Sequence, residues 1–337
     1  MTLINDTRFV VRSLCRSPGF SVVSTLTLGL GLGLSVAVWS VVDAVLIEPL
    51  PYPDADQLVE IGLTLPDHGA AGYPMSALDH LDFAERNTSF QAMAAIFREN
   101  LNLTGGSSPE RVTGAWVSAP FFTVMGISPQ LGRAFREEED APGQDLVAVV
   151  SNSLWQRRLG GRSDVLGGTV VVNGRSHVIV GVAPAGFAYP RNTEIWLPIA
   201  IEPENEDRAH GWVTSVGRLR AGVEMATART DLEAIREWIE HEHIDSREGR
   251  GVALQPLKER IVRAVRPSLL VLLAGAACVL LIATANATIL LSVRTAARKR
   301  ELAMRHALGA GRMHLIRMVM MEGLVSVSYT HLRAHET

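Results

Sequence analysis

The sequence predicts an α+β extracytoplasmic domain in two lobes, held between transmembrane α-helices, and three observations carry that prediction. Two runs lack any charge: Phe20 to Val42, about 23 residues, and Pro267 to Val293, about 27, both above the roughly 20 that cross a bilayer core. Between them lie about 220 residues, enough for one or two packed lobes. Basic residues crowd the far end of the second run and precede the first, while none follows the first for some forty residues. Arg8, Arg12 and Arg16 precede the first, Arg294, Arg298, Lys299, Arg300, Arg305 and Arg312 follow the second, and no Lys or Arg appears between Val42 and Arg86. Because juxtamembrane Lys and Arg resist translocation, both ends are expected in the cytoplasm and the interval from residue 47 outside.

Composition agrees with few spans and one large soluble part. The 337 residues are 47% hydrophobic yet 20% charged, with a mean hydropathy of +0.17. A net charge of -3 supplies no basic field for nucleic acid. The two cysteines, Cys15 and Cys278, fall at or inside the membrane-linked segments, so a disulfide framework in the middle region is excluded.

Residues 1–17 read as a short cytoplasmic amphipathic segment that Pro18-Gly19 ends, and residues 18–46 as the first transmembrane helix. A signal peptide is the rival reading, but its apolar core is roughly 7 to 15 residues and closes on a small-x-small site. This run is longer and flows into Trp39 and Asp43, which favours an uncleaved anchor. Ser21, Thr25, Gly29, Gly33 and Ala37 recur every fourth residue, a small-residue stripe on which another helix can pack closely. Glycine is also simply common in membrane helices. A phosphate loop is discounted, since no strand precedes these glycines and no Lys-Ser or Lys-Thr follows.

The outer domain, residues 47–265, leaves the membrane through Glu48-Pro49-Leu50-Pro51-Tyr52-Pro53. Strands are expected at Gln57–Thr64, Ala92–Phe97 and Arg111–Val117, with a helix over Ser76–Arg86. An inserted lobe is expected over about 130–205. It opens on the acidic loop Glu137–Asp140, then strand Leu146–Val150, a helix capped by Ser151, and the hairpin Thr169–Val172, Asn173-Gly174, His177–Val182. Strand Trp212–Leu219, the turn Ala221-Gly222, helix Glu224–His241 and strand Gly251–Leu257 form a βαβ return expected to pack with the first strands. Met225, Ala228, Leu232, Ile235 and Ile239 are the apolar face of its helix.

The second transmembrane helix is expected over 267–293 and runs into a cytoplasmic segment, 294–312, with sequence RTAARKRELAMRHALGAGR. Leu302, Ala303, Ala307 and Leu308 share helical spacing, Glu301 precedes Arg305 by four residues, and Gly309-Ala310-Gly311 ends the helix. Such a short amphipathic helix suits a groove on a cytosolic partner, although a plain positive-inside anchor has the same charge. Residues 313–327 read as the start of a third span. Residues 328–337 carry Arg333, His335 and Glu336 and cannot continue it, so the tail is expected to be non-native and the chain a fragment.

Catalytic and metal patterns are weak, and no enzyme is expected. There is no G-x-x-x-x-G-K-[ST] loop. His241-Glu242-His243 place two ligands at i and i+2, which point apart on a helix, so a solvated helix end is favoured and no metal or cofactor is expected. Asp79, His80 and Asp82 lack a nucleophile motif and read as a polar helix face. The run Glu137–Asp140 lacks calcium-loop spacing and reads as solvated. Asn286, with Thr284, Thr288 and Ser292, lies within the second span, where polar side chains usually face another helix.

The order Arg298-Lys299-Arg300-Glu301, Arg305, Ala307-Leu308-Gly309-Ala310 and Glu322 resembles the segment after the second membrane helix of MacB/FtsX-type ABC transporter permeases. In the domain, Gly132-Arg133-x-Phe135, Val149-Val150-Ser151 with Trp155-Gln156-Arg157-Arg158, Val180-Gly181-Val182-Ala183-Pro184 with Gly186-Phe187, Trp196-x-Pro198 and Gly217-Arg218-Leu219-Arg220 are similar to segments of that family's periplasmic core domain. The resemblance implies an inner-membrane permease subunit whose residues Arg298, Arg300, Glu301, Leu302, Arg305, Leu308 and Gly309 contact a separate cytosolic ATPase. It further implies a homodimer or pseudo-dimer of permease halves, a possible periplasmic adaptor, and a function in efflux or mechanotransmission. A second class, a two-span sensor with an extracytoplasmic ligand domain, shares the topology. It would continue in a long cytosolic coiled coil, where this chain has the break at Gly309-Ala310-Gly311. A membrane-tethered outer hydrolase is a more distant alternative.

Overall fold

The computed structural model describes residues 18–43, 46, 50–64, 71–105, 108–243 and 250–297. The chain divides into two compact units, Met1–Glu48 with Val262–Thr337, and Pro49–Ile261.

The first unit contains helix α1, Pro18–Val42, whose proline lacks an N–H that the first helical turn leaves unpaired anyway. It also contains most of helix α6, Leu257–Ala297. The uncharged run in the sequence predicts a start at Pro267. Helix is already established at Leu257, where Lys258, Glu259, Arg260, Arg263, Ala264 and Arg266 favour it, and it runs on through Pro267.

In the second unit the strands β1 (Leu58–Thr64), β2 (Ala71–Tyr73), β3 (Phe90–Thr104), β4 (Glu110–Val117), β5 (Leu131–Gly132), β6 (Val147–Val150), β7 (Thr169–Val172), β8 (Arg175–Val182), β9 (Ile195–Pro198), β10 (Thr214–Leu219) and β11 (Gly251–Pro256) form one 11-stranded sheet. Helices α2 (Ala77–Arg86), α3 (Phe121–Met125), α4 (Asn152–Arg158) and α5 (Met225–Glu242) complete the unit. Ser76 caps α2 by accepting from the Asp79 N–H, and Ser151 caps α4 by accepting from the Leu154 N–H.

β1 is buried along nearly its whole length because it lies between β10 and β11, antiparallel to both. β10, α5 and β11 are therefore the expected βαβ return, with β1 inserted between its two strands. Val59, Ile61, Leu63, Phe83, Leu219, Leu232 and Ile239 are the core between these strands, α2 and α5.

β3 ties the two parts of the domain together. Its first half, Phe90–Ile96, pairs with β10, and its second half, Ile96–Leu103, pairs with β4. The sequence predicts an end to this strand at Phe97, where Arg98-Glu99-Asn100 break the apolar run. All three are exposed, and the buried side chains resume at Leu101 and Leu103. From there the pairing runs β3, β4, β9, β6, β8, β7 and back to β3, a closed ring of strands. Leu101, Leu103, Val112, Val150, Val172, Ile179, Ile195 and Leu197 form a buried cluster from this ring. Residues 130–205 thus complete a barrel whose remaining wall is the outer half of the β3–β4 hairpin. The β7–β8 turn has Asn173 at φ 48° and Gly174 at φ 84°, the positive pair that a two-residue hairpin of this twist requires.

Candidate functional site

Within the membrane-linked unit α1 and α6 pack through a narrow face. Val38, Val42 and Ala276 are buried together, with Leu46, Leu269 and Leu273 against them. Farther along, a Cβ built on Gly31 would stand 3.0 Å from the Ala283 Cβ, so glycine sets the approach of the two backbones there. Residues 31, 38 and 42 of α1 meet 283, 276 and 273 of α6 in opposite chain directions, an antiparallel hairpin.

The small-residue stripe is not this face. Among the described residues Gly29 and Gly33 have nothing within 4 Å of a built Cβ, and Ala37 is exposed. A strict four-residue repeat drifts about 40° around a helix at every step, whereas the spacing of Gly31, Val38 and Val42 follows the seven-residue seam of paired helices. Asn286 is exposed as well. Thr284, Thr288 and Ser292 donate to carbonyls of Leu281, Thr284 and Thr288 in their own helix, so their hydroxyls need no second helix. Outward from the seam stand Leu26, Leu30, Val36, Trp39, Val271, Leu281, Ile282 and Ile289. Val265–Ile289 is long and apolar enough to cross a membrane and is mostly exposed, unlike the core helix of a soluble domain; the apolar stretch Gly29–Val42 of α1 is shorter.

The domain unit begins and ends in one aromatic core. Phe121, Phe122, Phe187, Tyr189 and Trp196 are its centre, with Phe187 and Trp196 stacked at 5.3 Å and the Trp196 indole N–H donating to the Tyr189 carbonyl at 2.9 Å. Leu50 and Tyr52 from its first residues, and Leu257 and Ile261 from its last, pack into this same core. Arg218, also buried, donates to the carbonyls of Val124 and Asp54, tying the end of α3 to the entering segment. Burial lowers the pKa of Arg218, partly offset by the Asp54 charge.

Asp79, His80 and Asp82, expected as a polar helix face, are paired within the domain, with Asp79 and His80 buried. Asp79 accepts from Arg236 Nη1 of α5 at 3.0 Å and from Arg208 Nη1 at 2.8 Å, and Arg208 Nη2 reaches Asp82 at 2.6 Å. His80 Nδ1 lies 2.6 Å from the Ser215 hydroxyl, and burial drives its pKa down to about 4. The arginines that neutralise Asp79 come from more than 120 residues away, a pairing no local pattern displays; Arg236 beside the buried Ile235 was the available signal. With both Asp79 oxygens occupied by arginine and His80 neutral, the group is equipped to hold α2 on α5 and the sheet.

The acidic run is also more ordered than a solvated loop. Glu137–Asp140 is a 3-10 turn in which Glu139 pairs with Arg133 and Asp140 accepts from the Ala119 and Ala200 N–H groups. His241 and Glu242 are exposed at the end of α5. Among the described residues no group of three or more His, Cys, Asp or Glu is placed to hold a metal. The ATPase-coupling residues expected from sequence, Arg298, Arg300, Glu301, Leu302, Arg305, Leu308 and Gly309, lie outside the described residues.

A mixed α+β domain set in the chain between α1 and α6, with its first and last residues in one core, defines the class of protein. The sequence profile of the MacB-like periplasmic core domain matches residues 21–235, and the chain belongs to that family of ABC transporter permeases. No curated protein matches the chain. Among solved structures, the periplasmic region of MacB from Actinobacillus actinomycetemcomitans is similar at 14% identity and a TM-score of 0.46, over 63% of this chain and 94% of that one. The extracellular domain of the noncanonic ABC-type transporter YknZ from Gram-positive bacteria is similar at 13% identity and a TM-score of 0.45, over 58% of this chain and 98% of that one.

Proposed function

We propose that this chain is the membrane permease subunit of an ABC transporter, anchored in the cell inner membrane with its N-terminus in the cytoplasm and residues 47–265 in the periplasm. The observation that carries this reading is the family match over 21–235 beside an apolar helix long enough to span. α1 is uncharged over 25 residues, about 37 Å as a helix, and would be the first span.

A separate cytosolic ATPase docks on residues 298–310, with Leu302 and Leu308 as the apolar part of the contact and Arg298, Arg300, Glu301, Arg305 and Gly309 as the polar and turning part. Hydrolysis moves this segment, the spans tilt, and the domain opens or closes on a periplasmic partner or substrate, as efflux or as mechanotransmission. Two copies or two homologous halves assemble around the ATPase dimer, and the exposed face of α1 with Gly29, Gly33 and Ala37 is free to take part. A periplasmic adaptor is a further partner of the domain.

The test is co-purification of the full chain with its ATPase from membranes. Charge reversal at Glu301 and Arg305 together is expected to abolish association while leaving the chain in the membrane. Unchanged association would overturn the docking assignment.

A further inference from the structure

Glu60 is the one charged residue in the apolar strand Leu58–Thr64, at a position flanked by strands on both sides. Its side chain is about nine-tenths buried, and burial raises its pKa, an effect that Arg260 opposes. An apolar residue there would avoid that desolvation, so the carboxylate is unfavourable for the sheet by itself. Its partner lies in the first turn of α6: Arg260 Nε donates to Glu60 Oε1 at 2.7 Å. Leu257 and Ile261, four residues apart and on the same side of that turn, pack into the aromatic core. The turn is thus held by two apolar anchors, which fix its depth, and one charged anchor, which fixes its rotation.

Across the sheet from Glu60 stand Val216 on β10 and Gln255 on β11. The Gln255 amide nitrogen is buried without a hydrogen-bond partner among the described residues, so it does not replace Arg260. Tyr189 feels the Glu60 charge, which adds to burial in raising its phenol pKa.

We propose that Glu60 and Arg260 are positioning residues that lock the first turn of α6 to the domain sheet and pass motion between this helix and the domain. The proposal rests on the coupling function above for its purpose, and on the geometry of the pair for its substance. The ion pair is the directional element of the joint, since hydrophobic contact alone leaves a helix free to roll.

The experiment is hydrogen exchange by mass spectrometry on the full chain in lipid nanodiscs, comparing peptides over 257–266 with peptides over 90–117. Arg260→Gln, on the half-exposed side of the pair, is expected to speed exchange over 257–266 by on the order of fivefold and to leave 90–117 unchanged. Glu60→Gln should do the same, and Arg260→Lys should stay within about twofold of the parent. With the ATPase bound, Arg260→Gln is expected to keep ATP turnover and lose the ATP-dependent change in exchange over 90–117. Unchanged exchange over 257–266, an equal rise over 90–117, or retention of the ATP-dependent change in Arg260→Gln would each overturn the proposal. The first measurement needs no ATPase, so its outcome is independent of whether residues 298–310 dock one.

Discussion

Asp79 and Arg236 meet at 3.0 Å with only 1% and 4% of their side chains exposed, and the second Asp79 oxygen holds Arg208. Removing one member of such a group leaves uncompensated buried charge, which costs more than the intact group contributes. Asp79→Asn is expected to destabilise the domain by about 3 kcal/mol or more. Glu240→Gln, which removes the charge of the partly buried Glu240 beside Arg236 Nε at 3.2 Å, should cost under about 1 kcal/mol. Thermal unfolding of the detergent-solubilised chain, followed by tryptophan emission, separates the two.

His80 gives the domain an acid-sensitive window. Its folded pKa of about 4 lies below the ordinary value of 6.5, so the unfolded chain binds a proton first as pH falls. Stability that is full above pH 6.5 is therefore lost toward pH 4, by on the order of 3 kcal/mol. His177 shifts in the same direction through burial. Asp140, raised by burial, acts with the opposite sign. In His80→Asn the slope of unfolding free energy between these pH values should flatten, and an unchanged slope would remove His80 from the account.

Trp196 is fully buried at the meeting of Phe122, Phe187 and the Tyr189 carbonyl. Trp196→Ala is expected to cost about 3 to 5 kcal/mol through the cavity it leaves. Trp155, only partly buried and bonded to the Arg162 carbonyl, should cost about 1 kcal/mol in the same change. Chemical denaturation of the full chain reads both.

The hairpin of α1 and α6 makes a prediction that the four-residue stripe does not. Gly31→Leu would drive into Ala283 and Leu280, an overpacking on the order of 1 to 3 kcal/mol, while a Cβ at Gly29 has no neighbour within 4 Å among the described residues. In a background of Cys15→Ser and Cys278→Ser, disulfide formation between Val38→Cys and Ala276→Cys should fall in Gly31→Leu and persist in Gly29→Leu. Equal yields would place the seam elsewhere.

Much of the domain was legible because its signals are local. The alternation of Val170 and Val172 with the Asn173-Gly174 turn, the caps Ser76 and Ser151, and the apolar face from Ala228 to Ile239 each need only a few neighbouring residues. What was missed depends on distant partners. β9 is four residues long and is defined by pairing with β4 and β6, and the outer half of β3 by β4 and β7. α3 is a single turn between Pro120 and Gly126, too short for a periodic pattern. Arg208, Arg236 and Arg260 carry no local signal of a partner, because the fold brings Asp79 and Glu60 to them from more than 120 residues away. The face of α1 that meets α6 was not legible because the small-residue stripe repeats every fourth residue and the packing seam every 3.5, half a residue apart per turn, a difference only the partner helix reveals.

Docking of an ABC ATPase on residues 298–310 is, as proposed above, open to direct test. The direct measurement is photocrosslinking in native membranes from a benzophenone at Leu302→Cys, in the background of Cys15→Ser and Cys278→Ser, with the product identified by mass spectrometry. The account predicts a crosslink to a cytosolic protein bearing a G-x-x-x-x-G-K-[ST] loop, lost on charge reversal at Glu301 and Arg305. Crosslinks to lipid alone, or labelling of position 302 by an impermeant thiol reagent from outside the cell membrane, would contradict it.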